Sequence, residues 1–286
     1  MSSRRRSPSP RRAQAPDAAA DARVRLVPDG DGRGGVTVLI DGVASSHLDP
    51  DDPLRLDFEY MRWMGDALDL LLPDGPVSAV HLGAAGCTLA RYVEATRPGS
   101  RQVAVESDGE VIAAVREGLG LRSTARLRIR EGDGRAVLAD LAGTRPHGYD
   151  VVIRDAFLDA VVPAHLTTVE YVDLVAAALS PRGLYLANVG DVAGLPRTRQ
   201  EAAAAAALGP VAVVAEPAQF KGGSRHGNAV LLAGPALQDA DAVATLTRRL
   251  VSGAVRARLL GPDAIGAFAA GARAPRDASV DHDATH

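Results

Sequence analysis

The chain has 286 residues, 47% of them hydrophobic, and a formal net charge of -3 with a sequence pI near 6.2. This length suits one sizeable α/β domain with a small appendage, and the lack of a basic excess argues against nucleic acid as the main partner. A single cysteine, Cys87, excludes an internal disulfide, no apolar run reaches the roughly eighteen residues of a membrane span, and the N-terminus lacks the apolar core of a signal peptide, so we expect a cytoplasmic protein with no membrane partner.

The first 75 residues are predicted to form a tail, a small β-subdomain and a linking helix. Residues 1–22 mix Arg, Ser, Pro and Ala without periodicity, which is typical of a disordered tail. In residues 23–48 apolar side chains alternate around Asp- and Gly-rich turns, which indicates three short antiparallel strands. Such a sheet buries little by itself, so it should dock against the main domain or a partner subunit, and we expect a homodimer. The Asp-Asp-Pro sequence at residues 51–53 predicts the start of a helix that completes the unit at residue 75.

Residues 77–108 have the pattern of a strand, a tight turn, a helix and a second strand. The second strand ends on Glu106, about twenty residues beyond the turn, where a carboxylate can accept hydrogen bonds from two sugar hydroxyls. Small residues form the turn and let a ligand approach the N–H groups of a helix N-terminus: Gly83, Ala84, Ala85 and Gly86. The spacing is GxxG and not GxGxxG, and the tightness of the turn alone also explains small residues. The nucleoside-binding and the structural interpretation therefore both stay open at this point.

The alternation of helices and strands continues beyond this unit and is typical of an α/β fold, a Rossmann-like, doubly wound and mostly parallel sheet. We assign residues 76–270 to this domain. The last two predicted strands, joined through residues 221–224, lie too close together for a crossover helix and indicate an antiparallel hairpin at the sheet edge. A helix over residues 239–250 is the last predicted element, and residues 271–286 are expected to be a flexible tail.

The carboxyl ends of the strands are where such sheets bind their ligands. The predicted ends carry a series of polar residues: Glu106, Asp133 with Gly134, Asp155, and Asn188 with Asp191. Several carboxylates suit a ligand with hydroxyls, an exocyclic amine and a positive centre better than they suit pyrophosphate. Asp133 precedes a predicted helix, so it fits an N-cap as well as an adenine contact, and the two roles can coexist.

Other reactive side chains are assigned structural roles. His81 lies inside a strand and is interpreted as a core histidine, and no metal-ligand spacing occurs, so we expect no metal. Residues 221–225 could bind an anion but suit a hairpin turn better. Cys87 is interpreted as a packing residue, although a helix N-terminus can lower the pKa of a thiol and make it reactive.

The order of elements resembles the class I methyltransferase fold and, more closely, the spermidine synthase family. The resemblance covers residues 24–232 and is carried by four stretches: LIDGVASSHLD followed by FEYMRWM, HLGAAGCTLARY followed by VAVESD, EGDGRAVL, and the segment from YDVVIRDAFLDA to GLYLANV. In the family these positions hold a substrate-covering hairpin with a tyrosine-bearing helix, a glycine-rich turn with a ribose acid, an adenine contact and a catalytic aspartate. The last stretch is the most specific.

The resemblance implies an adenosyl-sulfonium donor, decarboxylated S-adenosylmethionine or S-adenosylmethionine, and a small-molecule amine acceptor. Glu106 would bind the ribose, Asp133 and Gly134 the adenine edge, and the turn of residues 83–86 would back the sulfonium tail. Asp155 matches the family's catalytic aspartate, which orients and deprotonates the attacking amine. Tyr60 lies on the tyrosine-bearing helix and is assigned to the catalytic centre.

The departures from the family concern the part of the site that holds the cationic substrate. The family has an aspartate where this chain has Gly86, and another where it has Leu158 or, with a one-residue shift, Asp159. On the tyrosine-bearing helix, Met61 and Arg62 replace histidine and glutamate, and Ser45 replaces a glutamine of the hairpin. The residues expected to bind the donor are therefore retained better than those expected to bind a diamine.

These departures leave three functions to compare. Arg62 and Arg154 would repel a polyamine if they pointed inward. We expect a transferase that moves an aminopropyl group to an amine, with its diamine-binding acids partly lost. The alternatives are a methyltransferase that uses S-adenosylmethionine and a non-catalytic nucleoside-binding relative whose arginine tail serves as an interaction arm.

Overall fold

The structure, a computed structural model, describes residues 22–30, 32–124, 126–158, 161–253 and 256–283. The predicted disordered tail lies outside the described residues except for Ala22. The strands are β1 (Val24–Pro28), β2 (Val36–Ile40), β3 (Val43–Leu48), β4 (Ser78–Leu82), β5 (Arg101–Glu106), β6 (Leu127–Glu131), β7 (Tyr149–Arg154), β8 (Leu179–Val192), β9 (Val211–Ala215), β10 (His226–Ala233) and β11 (Arg258–Leu260). The helices are α1 (Glu59–Leu71), α2 (Thr88–Thr96), α3 (Gly109–Leu119), α4 (Gly134–Thr144), α5 (Val169–Ala178), α6 (Pro196–Ala205), α7 (Ala240–Ser252), α8 (Pro262–Phe268) and α9 (Asp277–Asp283), with short 3-10 turns at Ala164–Leu166, Ala206–Leu208 and Pro235–Gln238.

The main sheet within the described residues has eight strands in the order β11-β9-β10-β8-β7-β4-β5-β6. From β8 to β6 the neighbouring strands are parallel, whereas β10 runs antiparallel to β8 and to β9. The predicted mostly parallel sheet and its antiparallel hairpin are therefore confirmed. The short β11 adds to the outer side of the hairpin, and its three residues are too few to show a strand pattern in the sequence.

Both faces of the main sheet are covered by helices. On one face α4, α5 and α6 pack through residues such as Leu138, Val175 and Ala202, and on the other face α1 and α7 pack through Leu68 and Leu246. The central strands are apolar along most of their length because both of their faces are buried. Among the described helices, none combines the length and the hydropathy needed to cross a bilayer.

The small N-terminal sheet has the order β1-β2-β3, with antiparallel pairing throughout. It packs on α3 of the same chain through a cluster that contains Val38, Leu48, Val111 and Val115. Arg23 strengthens this contact with ion pairs to Asp108 and Glu110 at the start of α3. The small sheet therefore docks against the main domain, which is one of the two arrangements predicted from the sequence.

The helix expected to start at residue 53 begins at Glu59 instead. The carboxylate of Asp49 accepts the N–H groups of Asp51 and Asp52 at 3.0 and 3.1 Å, and Asp52 accepts the N–H of Leu54. These side chains hold a turn, so Asp51 and Asp52, which the sequence assigned to a helix N-terminus, belong to this turn seven or eight residues before the helix starts.

The segment after residue 270 differs from the predicted flexible tail. It contains α9, and the carboxylate of Asp277 binds the guanidinium of Arg135 through two contacts of 2.7 Å. The Val169 N–H donates to the carbonyl of Pro275 at 2.9 Å. The paired contacts lower the pKa of Asp277 to about 2. These tertiary contacts order a segment whose own sequence pattern is weak.

Candidate active site

The turn of residues 83–86 lies against the segment that follows β7. Gly83 has a φ of +87°, and a Cβ at this position would come within 2.2 Å of the carbonyl oxygen of Asp155. Only glycine tolerates both the backbone conformation and this approach. The N–H of Gly83 also donates to the carbonyl of Val105 at 2.9 Å. The turn therefore connects the ends of β4, β5 and β7 at one edge of the sheet.

Glu106 ends β5 and points its carboxylate at this turn. One oxygen accepts the N–H groups of Ala84 and Ala85 at 3.2 and 2.9 Å, and the other accepts the N–H of Asp108 at 3.1 Å. Each carboxylate oxygen has two lone pairs, and three of these four positions are used by the N–H groups, so Glu106 can still accept one hydrogen bond from a hydroxyl, on Oε1. Glu106 and the turn are thus adjacent, as the sequence pattern predicted.

Asp133 and Gly134 follow β6 beside Glu106, whose carbonyl accepts the N–H of Gly132 at 2.9 Å. Asp133 is the N-cap of α4 and accepts the Ala136 N–H at 2.8 Å, while its second oxygen lies 2.7 Å from Nε2 of His165. Burial works to raise the pKa of Asp133, but the hydrogen bonds from Ala136 and His165 outweigh it and lower the pKa. The N-cap role is confirmed, and the adenine contact stays a prediction.

Asp155 follows β7 and is held by two neutral donors. Its Oδ2 accepts the hydroxyl of Tyr60 at 3.0 Å, and its Oδ1 accepts the amide of Asn188 at 2.9 Å. Burial raises the pKa of Asp155, and the hydrogen bonds from Asn188 and Tyr60 oppose this change. Burial and the neighbouring carboxylate also raise the pKa of Tyr60 well above its ordinary value. The phenol therefore stays protonated and donates a hydrogen bond to Asp155. With these two donors and a raised pKa, the carboxylate of Asp155 is suited to accept a proton.

The two arginines that could have repelled a cationic substrate are used within the protein. Arg154 is fully buried and donates to Glu201 at 2.8 Å, to the carbonyl of Asn188 at 3.0 Å and to that of Leu166 at 2.9 Å. Arg62 donates to the carbonyls of Leu56 and Asp57, in the segment before α1. Neither side chain therefore supplies the inward positive charge considered from the sequence.

Any side chain at Gly86, where the resemblance to the family would place an acid, meets two side chains of β3. A Cβ on Gly86 would come within 2.7 Å of Leu48 Cδ2 and 2.8 Å of Ser46 Oγ, both on β3. The position of Ser46 is fixed, since its hydroxyl lies 3.0 Å from that of Thr88, which donates to the carbonyl of His47 at 2.8 Å. The small sheet therefore occupies the space beside this glycine.

A narrow cavity lies between β3, the turn and Asp155. Its lining includes Ser45, Ser46, Met61 and Ala85 as well as Asp155, and the space open to water is about 30 Å³. Within the described residues, no group of three or more His, Cys, Asp and Glu side chains could hold a metal ion.

Two further side chains near the turn, His81 and Cys87, are buried. His81 is buried with Nε2 2.8 Å from Gln102 Oε1, and burial lowers its pKa to about 4, so its interpretation as a core histidine is confirmed. Cys87 is buried at the start of α2, where burial, assisted by Glu106, raises the pKa of its thiol to about 12. The interpretation of Cys87 as a packing residue is therefore confirmed, and desolvation disfavours the reactive thiolate.

Sequence reasoning placed Asn188 at a strand end without giving it a role, and it did not place His165 at the site. Asn188 was noted as a strand end, and its contact with Asp155 follows from the parallel pairing of β7 and β8, in which Arg154 lies opposite Ala187. His165 contacts Asp133 from the turn Ala164–Leu166. No local sequence signal reveals that contact, since 32 residues separate the two side chains.

Comparison with known proteins gave no matching family model. A polyamine aminopropyltransferase of Chromobacterium violaceum is 30% identical over 144 residues, which is 50% of this chain and 53% of that protein, so the match spans about half the length of this curated relative. The solved structure of a probable spermidine synthase from Corynebacterium glutamicum superimposes with a TM-score of 0.80 and 34% identity over 89% of this chain and 92% of that one. A spermidine synthase in complex with the transition-state analogue AdoDATO shares the fold, with a TM-score of 0.55 and 16% identity over 86% and 81% of the two chains.

Proposed function

Since the chain belongs to the spermidine synthase family, we propose that it is an aminopropyltransferase that binds an adenosyl-sulfonium donor and transfers an aminopropyl group to a small amine. The observation that carries this proposal is the carboxylate of Asp155, which Tyr60 and Asn188 hold directly behind the turn that Glu106 contacts. The relative from Chromobacterium violaceum is named for this activity, so we do not propose methyl transfer.

The donor nucleoside would lie along the ends of β4, β5 and β6. Glu106 would bind the ribose through its free acceptor position on Oε1, Asp133 and Gly134 would meet the adenine edge, and the turn of residues 83–86 would lie beside the sulfonium tail. The adjacency of these groups supports this proposal. Decarboxylated S-adenosylmethionine is the proposed donor, with S-adenosylmethionine itself as the second choice.

In the proposed reaction the nitrogen of the acceptor attacks the propyl carbon that is bonded to the sulfonium sulfur. A C–N bond forms as the C–S bond breaks, and the sulfur takes the bonding pair and leaves as the neutral thioether methylthioadenosine. The proton released by the amine passes to Asp155, which acts as general base. Tyr60 keeps its own proton and fixes the carboxylate.

The proposal is tested by incubating the protein with decarboxylated S-adenosylmethionine and each of a panel of mono- and diamines. Mass spectrometry then measures the methylthioadenosine and the alkylated amine that form. We expect both products in equal amounts. Binding of the two sulfonium compounds and methylthioadenosine, measured side by side by calorimetry, tests the nucleoside site separately. If none of the three binds, the nucleoside site is refuted, and methylated product in place of aminopropylated product would refute the reaction.

The assembly and location of the protein belong to the same proposal. We propose a homodimer, because the small sheet leaves Val27 and Val43 39% and 54% exposed, and a second subunit would cover them. A cytoplasmic location agrees with the single, unpaired Cys87. Light scattering coupled to size exclusion measures the assembly, and a single-subunit mass would contradict the dimer.

A further inference from the structure

Asn188 contributes a second fixed contact to Asp155 from the neighbouring strand. Parallel pairing sets Arg154 of β7 opposite Ala187 of β8, so Asp155, the first residue after β7, lies beside Asn188, which is still within β8. The Asn188 amide nitrogen donates to Asp155 Oδ1 at 2.9 Å, and Tyr60 donates to the other oxygen at 3.0 Å. With one donor on each oxygen, the plane of the carboxylate is fixed while its charge is left unneutralised.

The backbone of Asn188 is itself held in place. Its carbonyl accepts the guanidinium of Arg154 at 3.0 Å, and Arg154 is bound by Glu201 of α6 at 2.8 Å. On the other side, Asn188 lies opposite Val230 of the antiparallel strand β10. The amide is therefore fixed by a buried ion pair and by a central sheet position, which limits its movement relative to Asp155.

The stability of the fold does not explain an asparagine at this position. Asn188 is only 2% exposed, and its Oδ1 is buried without a hydrogen-bond partner among the described residues. An unpaired buried oxygen destabilises a protein, and a leucine of similar volume would avoid that cost. The oxygen of the Asn188 amide is therefore unfavourable for stability, whereas its nitrogen is well placed to donate to Asp155. This combination indicates that the residue serves its contact with Asp155.

We propose that Asn188 is a positioning residue of the reaction, which acts through Asp155 by fixing the orientation of the carboxylate. This inference rests on the proposed function, because it assigns Asp155 the role of general base. The charged and titratable groups that act on Asp155 are Tyr60 from α1 and Arg154 from β7, with Glu201 balancing the charge of Arg154. Asn188 has no charge, so its effect on Asp155 is that of a hydrogen bond to the ionised form.

The test compares Asn188→Leu with Asn228→Leu, the same change at an exposed position of β10 opposite Gly190. In Asn188→Leu the pKa of Asp155, followed through its carboxyl carbon by NMR and assigned with Asp155→Asn, should rise by about one unit, since a hydrogen bond to the charged form is lost. We expect kcat to fall about tenfold with the KM for the donor changed less than twofold. At acidic pH, where Asp155 is protonated, the melting temperature should stay the same or rise, because the unpaired oxygen is removed; at neutral pH it should fall, because the ionised carboxylate has lost a donor.

Two results would overturn the inference: an Asp155 that titrates as in the wild-type protein, or a melting temperature that is lowered equally at acidic and at neutral pH, as a merely structural role requires. The Asn228→Leu variant should show none of the expected changes. The NMR titration needs no turnover and calorimetry with methylthioadenosine reports the nucleoside site, so failure of the proposed function would be recognised separately.

Discussion

Tyr60 Oη lies 3.0 Å from Asp155 Oδ2, although 95 residues separate the two in the sequence. The phenol comes from the helix that links the small sheet to the main domain, and the carboxylate comes from the end of a central strand. Because Tyr60 is buried and its pKa is raised, the hydrogen bond has one direction, from phenol to carboxylate. The proposed catalytic geometry therefore depends on how α1 packs on the sheet.

Replacing Tyr60 with phenylalanine should reduce activity while the fold is kept. The loss of one donor to the ionised Asp155 should lower kcat about tenfold and raise the pKa of the carboxyl by about one unit. Tyr92→Phe is the matched control, since its hydroxyl contacts Asp69 and not Asp155. The pH dependence of kcat provides the measurement, and equal activity losses in both variants would contradict the prediction.

Replacing Asp155 with asparagine should abolish turnover and stabilise the protein at neutral pH. We expect kcat to fall at least about 100-fold, with the affinity for methylthioadenosine unchanged, because the general base is removed. Burial raises the folded-state pKa of Asp155 above the unfolded value. Such a group contributes its full stability below the unfolded pKa and loses this contribution as the pH rises through the folded pKa.

The wild-type protein should therefore lose stability, relative to Asp155→Asn, as the pH rises through the folded-state pKa of Asp155. Melting temperatures of the two proteins, recorded from acidic to alkaline buffer, measure the difference. A lower melting temperature of the variant at neutral pH would show that the carboxylate stabilises the fold.

Replacing Glu106 with glutamine should weaken nucleoside binding. The ionised carboxylate accepts three backbone N–H groups, and an amide nitrogen in place of one oxygen would face N–H groups instead. We expect the affinity for methylthioadenosine to fall at least about tenfold in calorimetry. Glu94→Gln, an exposed change on α2, serves as the control, and equal affinities in the two variants would exclude Glu106 from the binding site.

Introducing an aspartate at residue 86 should destabilise the protein without producing an efficient putrescine-dependent enzyme. The new Cβ would collide with Leu48 and Ser46, and such overpacking typically lowers the free energy of unfolding by about 1–3 kcal/mol. For the wild-type protein, we also expect poor activity on putrescine, because Gly86 supplies no carboxylate to hold a cationic substrate. Chemical denaturation measures the first effect, and efficient spermidine formation by the wild-type protein would contradict the second.

Cys87 should resist alkylation in the folded protein. Its thiol is buried and has a pKa of about 12, so little thiolate forms near pH 8. Iodoacetamide followed by mass spectrometry should modify the cysteine only after denaturation. Fast modification of the native protein would indicate that the turn opens to solvent.

The sequence predicts the elements that lie along the carboxyl edge of the sheet, because parallel strands bring their ends to one side. Glu106, Asp133 and Asp155 were found in this way. The partners of these residues depend on packing between distant segments and have no local signature. Asn188 reaches Asp155 through the register of two strands, and Asp277 binds Arg135 across 142 residues. The start of α1 was misplaced because Asp49, outside the expected cap, holds the preceding turn.

Because Ser46 and Leu48 pack closely on Gly86, we expect the substitutions tolerated at these three positions to depend on one another. An acid at residue 86 is disfavoured sterically and would cost least after a change in β3 that makes space. The order of substitutions is then constrained, and the effect of an acid at residue 86 depends on the genetic background. Among related chains, we expect the residues at positions 46 and 86 to vary together.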